Sequence, residues 1–269
     1  MVITTGFIGL GSQGGPMASR MLASGYPLTV WARRAEALEP FVQQGAISAA
    51  TVATLGASCD HIGLCVVDDT GVAQVCDDLI PAMRPGALLA IHSTVLPESC
   101  EALALRCAAR DILFLDAPVS GGGPGAEAGT LTVMCGGSAE AFEQARPVFA
   151  SFGAMIVHLG PPGAGQRAKI INNALLAANM GLADAALGAG EALGIDRAAL
   201  ADLVKASSGR SYGFEIVARL PSPAAFGIGA PLLAKDVRLL GAVLPGDDHA
   251  QVLHAAAAAF LTEATGAPL

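Results

Sequence analysis

Short apolar runs separated by polar and glycine-containing turns fill residues 1–160. The runs at 3–8, 28–31, 61–67, 88–91, 113–116, 132–134 and 155–158 read as strands. Amphipathic stretches such as 14–24 and 98–109 read as helices between them. Apolar strands alternating with helices predict βαβ units and a mainly parallel sheet covered on both faces. After Gly160-Pro161-Pro162-Gly163 the strand pattern stops. Helical periodicity takes over at 165–193, 198–206, 232–243 and 248–262. The expected division is therefore an α/β domain over 1–162 and an all-α domain over 163–269.

Composition narrows the possibilities. The 269 residues are 53% hydrophobic and 14% charged, with a net charge of −8. That excludes intrinsic disorder, and an acidic balance argues against a nucleic-acid-binding surface. The most apolar windows are interrupted, at Asn172-Asn173 and near Glu263, so no membrane-spanning segment is expected. The amino terminus carries no basic stretch followed by a long apolar core, which points to the cytoplasm. The six cysteines form no C-x-x-C pair and have no metal-ligand histidines nearby. They read as small buried hydrophobes, and no metal is expected.

The first strand runs into Gly9-Leu10-Gly11-Ser12-Gln13-Gly14, a G-x-G-x-x-G at the start of a helix. Such glycines allow a tight turn and close approach to a pyrophosphate, and the helix terminus presents N–H groups to it. This is the fingerprint of a Rossmann-type dinucleotide site. An NAD site usually ends its second strand with an acid for the ribose 2′-OH. Here that segment is Val30-Trp31-Ala32-Arg33-Arg34. Two guanidiniums would grip a 2′-phosphate that a carboxylate would repel, so NADP is expected in preference to NAD.

The segments Gly6-Phe7-Ile8-Gly9-Leu10-Gly11 and Gly14-Gly15-Pro16-Met17-Ala18 resemble the β-hydroxyacid dehydrogenase family. Ser93-Thr94, Asp116-Ala117-Pro118-Val119-Ser120-Gly121-Gly122, Gly163-x-Gly165-x-x-x-Lys169-x-x-Asn172-Asn173 and Lys235-Asp236 match in the family's order. Members include 3-hydroxyisobutyrate dehydrogenases and tartronate semialdehyde reductases, with 6-phosphogluconate dehydrogenase a distant relative. Gln13, Ala32, Val67 and His92 depart from the usual residues, all on the cofactor side.

The resemblance implies that Lys169 is catalytic and that Asn173 contacts substrate. It implies that Ser120, Gly121 and Gly122 hold the substrate's acid group in a loop after a strand. It places Val66, Val67 and Thr94 beside the cofactor, which Lys235 also contacts from the second domain. Relatives form dimers or tetramers, so a homodimer or homotetramer is expected, its helical faces covered by a partner copy.

The chemistry is consistent with that assignment. Lys169 and Asn173 lie four residues apart and so share a helix face. A partly desolvated lysine has its pKa lowered toward the working range, which suits proton transfer in either direction. Ser208-Gly209-Arg210-Ser211 resembles a substrate-side segment of 3-hydroxyisobutyrate dehydrogenases. The expected activity is NADP-dependent interconversion of a small 3-hydroxy acid, 3-hydroxyisobutyrate-like, and its semialdehyde. His92 is the rival general acid, because histidine titrates near neutrality. Alternative readings are an imine reductase, which generally lacks the lysine, or a non-catalytic dinucleotide-binding sensor.

Overall fold

A computed structural model describes residues 3–269. It opens with β1 (Thr5–Ile8), α1 (Gly14–Ala23), β2 (Leu28–Trp31), α2 (Glu39–Gln43), β3 (Ile47–Ser48) and α3 (Val52–Ser58). Next come β4 (His61–Leu64), α4 (Asp69–Ala82), β5 (Leu88–Ile91), α5 (Pro97–Ala108) and β6 (Leu113–Asp116). The sheet region closes with β7 (Val119–Ser120), α6 (Gly122–Ala128), β8 (Leu131–Gly137), α7 (Ala139–Phe149) and β9 (Gly153–Gly160). The rest is helical: α8 (Ala164–Ala192), α9 (Arg197–Lys205), α10 (Tyr212–Val217), α11 (Gly229–Val243) and α12 (Asp248–Thr265). The chain divides into two compact units, Met1–Lys169 and Ile170–Leu269, and the division falls inside α8.

The sheet runs in the order β3-β2-β1-β4-β5-β6-β8-β7, with β9 on β8. From β3 to β6 every pairing is parallel, while β8 runs antiparallel to β6 and β7. The order 3-2-1-4-5-6 is that of a Rossmann sheet, and it reverses between β1 and β4. Alternate strand residues feed two separate cores. Phe7, Val30, Leu88, Ala90 and Leu115 pack on one face, and Ile8, Ile62, Leu64, Leu89, Ile91 and Phe114 on the other. Burial on both faces makes these strands continuous apolar runs, which is why β2, β5 and β6 occupy the predicted residues.

Other boundaries differ. The strand expected over 61–67 stops at Leu64, because the Cys65 carbonyl turns into the space beside Gly9 that a Cβ would need. The strand expected over 132–134 is longer, and β3 and β7 are two-residue additions. The predicted loop at Ser120–Gly122 is instead the end of β7 and the start of α6, with Gly121 at φ 130° and Gly122 at φ 63° making the turn.

The second unit packs α8 to α12 around Met180, Leu187, Phe214, Phe260 and Leu261. Gly181 lets α8 lie against the α12 backbone, since a Cβ there would collide with the Ala256 carbonyl. By length and composition α8 is apolar enough to cross a membrane; half of that window is buried inside the protein.

Candidate active site

Five parallel strands end in one row. Ile8, Trp31, Leu64, Ile91 and Asp116 are neighbours through the ladder register. Every cofactor residue expected in the sheet unit follows one of these ends: the glycine-rich turn after β1, Arg33-Arg34 after β2, Val66-Val67 after β4 and Thr94 after β5. This carboxyl edge, at the reversal of strand order, is where open α/β sheets bind ligands.

The glycines of the first turn do different jobs. Gly9 sits at φ 94° with the Cys65 carbonyl against it, and a Cβ on Gly14 would collide with the Gly9 carbonyl. Gly11 faces open space, with nothing within 4 Å of where a Cβ would be. Among the described residues no side chain caps α1, whereas Thr51, Asp68 and Ser138 cap α3, α4 and α7. Gly11 and Ser12 are exposed and Gly9, Leu10 and Gln13 half-buried. An uncapped helix start fronted by vacant space fits a pyrophosphate. Gly123, at the start of α6, approaches the same turn; a Cβ on it would stand 2.9 Å from the Ser12 carbonyl. The Ser120–Gly122 segment is thereby brought beside the glycine-rich turn.

After β2, Arg33 and Arg34 are exposed, and Arg33 donates to Gln74 Oε1 at 3.2 Å. Ala32 stands between the strand and the two arginines, so no carboxylate occupies the end of β2. After β4, Val67 is 68% exposed and the Val66 N–H donates to Ser93 Oγ at 2.8 Å. Thr94 is half-buried just beyond β5.

The amino-terminal turn of α8 is bonded to this edge. Asp116, the last residue of β6, accepts from the Gly163 N–H at 2.7 Å and the Gln166 N–H at 2.8 Å. Gly165 is needed because a Cβ would collide with the Met134 carbonyl. Burial pushes the Asp116 carboxyl up to about 6, against the backbone donors that favour its ionised form. Lys169 follows one turn after Gln166 and is 8% exposed.

In the second unit, Asn173 is also 8% exposed. Its Nδ2 donates to Asp236 Oδ2 at 2.6 Å, and its Oδ1 accepts from Asn172 at 3.1 Å. Lys235 Nζ lies 3.1 Å from Asp236 Oδ1. Ser208, Gly209 and Arg210 are exposed, and Ser211 caps α10 through the Phe214 N–H.

His92 has no place in proton transfer. Its ring is 3% exposed, stacked on Phe7 and edge-on to Phe149 and Phe152, with Nδ1 2.8 Å from the Ala117 carbonyl oxygen. Burial lowers its pKa to about 4. Five cysteines are buried and Cys65 half-buried; burial pushes the thiols of Cys65, Cys76, Cys107 and Cys135 up to about 12. Among the described residues no cluster of three metal-ligating side chains exists. Sequence reasoning missed Gln166 and the roles of Asp116 and Asp236, whose side-chain hydrogen bonds join residues 47 or more positions apart.

The family model for the NAD binding domain of 6-phosphogluconate dehydrogenase matches residues 4–160. That for the NAD-binding region of NADP-dependent 3-hydroxyisobutyrate dehydrogenase matches residues 163–267. The NAD-dependent L-serine dehydrogenase of Pseudomonas aeruginosa is 39% identical over 253 residues, 87% of this chain and 82% of that protein. A solved Mycobacterium tuberculosis 3-hydroxyisobutyrate dehydrogenase with L-serine aligns with TM-score 0.88 at 27% identity, over 98% of this chain and 94% of that one. Psf3 in complex with NADP+ and 2-OPP aligns with TM-score 0.84 at 28% identity, over 98% and 95%. Matched over residues 4–160 and 163–267 by these models, the chain belongs to the β-hydroxyacid dehydrogenase family and is an NAD(P)-dependent oxidoreductase of small hydroxy acids.

Proposed function

We propose that the protein interconverts a small 3-hydroxy acid and its semialdehyde, with Lys169 moving the proton at the substrate oxygen. The observation that carries this reading is the burial of Lys169 on α8, one turn beyond the residue tied to the ends of β5 and β6. An ammonium held away from bulk water exchanges its proton with a reacting oxygen rather than with solvent. Asn173, one turn further on, hydrogen-bonds the substrate, and Ser120, Gly121 and Gly122 receive its carboxylate. The substrate class is that of 3-hydroxyisobutyrate; L-serine, named with two of the relatives, is also a 3-hydroxy acid.

The turn from Gly9 to Gly14 would hold the pyrophosphate, Arg33 and Arg34 a 2′-phosphate, and Val66, Val67, Thr94 and Lys235 the remainder of the dinucleotide. The bound nicotinamide supplies or accepts the hydride. We assign NADP as the preferred form on the strength of Arg33 and Arg34. Residues 1–162 serve as the dinucleotide-binding domain and 163–269 as the helical substrate and dimerisation domain. Ile171, Leu175 and Leu182 are at least half exposed along one stripe of α8, which supports a homodimer or homotetramer. The expected location is the cytoplasm.

The test is turnover, followed by reduced-nicotinamide absorbance, across short 3-hydroxy acids and semialdehydes with both nucleotides. Lys169→Ala should lower kcat by about 10²–10⁴-fold with nucleotide affinity nearly intact. A variant retaining most of its rate would overturn the lysine assignment.

A further inference from the structure

The amide of Gln166 is wholly buried, and both its ends are used. Its Nε2 donates to the Ser93 carbonyl at 2.8 Å and its Oε1 accepts from the Val95 N–H at 3.1 Å. The two bonds bracket Thr94, pairing one side chain with the backbone as a neighbouring strand would. The same segment continues toward β4, since Ser93 Oγ accepts from the Val66 N–H. On the other side, the Gln166 N–H donates to Asp116. Gln166 thus joins the ends of β5 and β6 directly, and that of β4 only through Ser93, to the turn of α8 that precedes Lys169.

We propose that Gln166 is a positioning residue for hydride and proton transfer, setting the distance between the Ser93–Val95 segment and Lys169. The proposal rests on the lysine reading given above. Gln166 and Lys169 lie three residues apart on one face of α8. Any rotation or slide of that turn relative to Thr94 must first break a buried amide–backbone pair. A mere structural bolt would change how much enzyme is folded; a positioning residue changes the rate of the enzyme that is folded. Misplacement by about 1 Å can cost about 100-fold in rate.

The test uses the full-length enzyme with saturating nucleotide. Gln166→Met keeps the volume and removes both bonds. Its kcat per folded molecule should fall about 10- to 100-fold, the primary deuterium isotope effect should rise, and KM and nucleotide Kd should change less than about threefold. A kcat within about twofold of wild type, or a loss confined to KM or Kd, would overturn the proposal. Gln166→Glu decides the matter even if the methionine variant does not fold. Its protonated carboxyl retains a donor for the Ser93 carbonyl and its ionised form does not. The kcat ratio to wild type should therefore recover as pH is lowered; a flat ratio near one counts against positioning. Lys169→Met measured alongside separates the two ideas. If it is inactive while Gln166→Met is normal, only the positioning role fails; if it turns over, the lysine reading fails first.

Discussion

Asp236 Oδ2 accepts a 2.6 Å hydrogen bond from Asn173, and the other oxygen of the same carboxylate lies 3.1 Å from the Lys235 ammonium. One buried acid on α11 therefore orients two residues expected to touch ligands. Asp236→Ala would leave the Asn173 amide without its acceptor. It should lower stability by about 1–3 kcal/mol and raise KM for the hydroxy acid, with Asp236→Asn milder on both counts. Urea unfolding and steady-state kinetics measure the two effects, and wild-type values in both would show that the bond is without consequence.

Arg33→Ala should weaken NADP by about 10- to 100-fold, the worth of a charged hydrogen bond at about 1.5–3 kcal/mol. NAD should be affected far less. Calorimetric titration with each nucleotide gives the ratio, and equal losses would remove the phosphate clamp.

Two glycines of one turn should fail differently. Gly14→Ala forces a Cβ into the Gly9 carbonyl, so its defect should be in folding. Gly11→Ala meets no protein atom within 4 Å, so it should melt at the wild-type temperature and bind dinucleotide at least about 10-fold more weakly. Thermal melts with and without nucleotide distinguish these cases. Normal binding by Gly11→Ala would place the pyrophosphate elsewhere.

The histidines buried among Phe7, Phe149 and Phe152 make the fold acid-sensitive. Burial lowers His61 to about 3 and His92 to about 4, from an ordinary 6.5. Above pH 6.5 both are neutral folded or unfolded and contribute no slope. Below it the unfolded chain takes up two protons that the native state refuses, so stability falls as pH falls toward 4. Asp116 opposes this: raised from 3.8 to about 6, it binds a proton in the native state first and adds stability as pH drops through that window. Two protons against one leave a net loss of about 1.4 kcal/mol per pH unit between about 6 and 4. Urea midpoints across that range check the slope, and His92→Leu should flatten it.

What could be read in advance follows burial and sequence separation. β2, β5 and β6 were legible because each is four residues buried on or near both faces of a parallel sheet. The β8 strand was underestimated because Gly136 and Gly137 carry no strand signal. They are glycines because a Cβ at either would press on Asp116 or the Phe114 carbonyl. The glycine-rich turn, Arg33, Lys169 and Asn173 were visible as local motifs. Gln166, Asp116 and Asp236 were not, because their function is to hold residues distant in sequence, which single-chain pattern cannot register. His92 was misleading for a related reason: nothing local announces that a histidine stacks against phenylalanines from β1 and α7.

Because β1, β2, β4, β5 and β6 all terminate on one line, each recognition task proposed above would hang from its own strand. The stretch after β2 can therefore be exchanged like an interchangeable tool tip. If the arginine pair holds a 2′-phosphate as proposed, regrafting the stretch to carry an aspartate at Ala32 in its place should shift the preference toward NAD, leaving Lys169 and its scaffold as they stand.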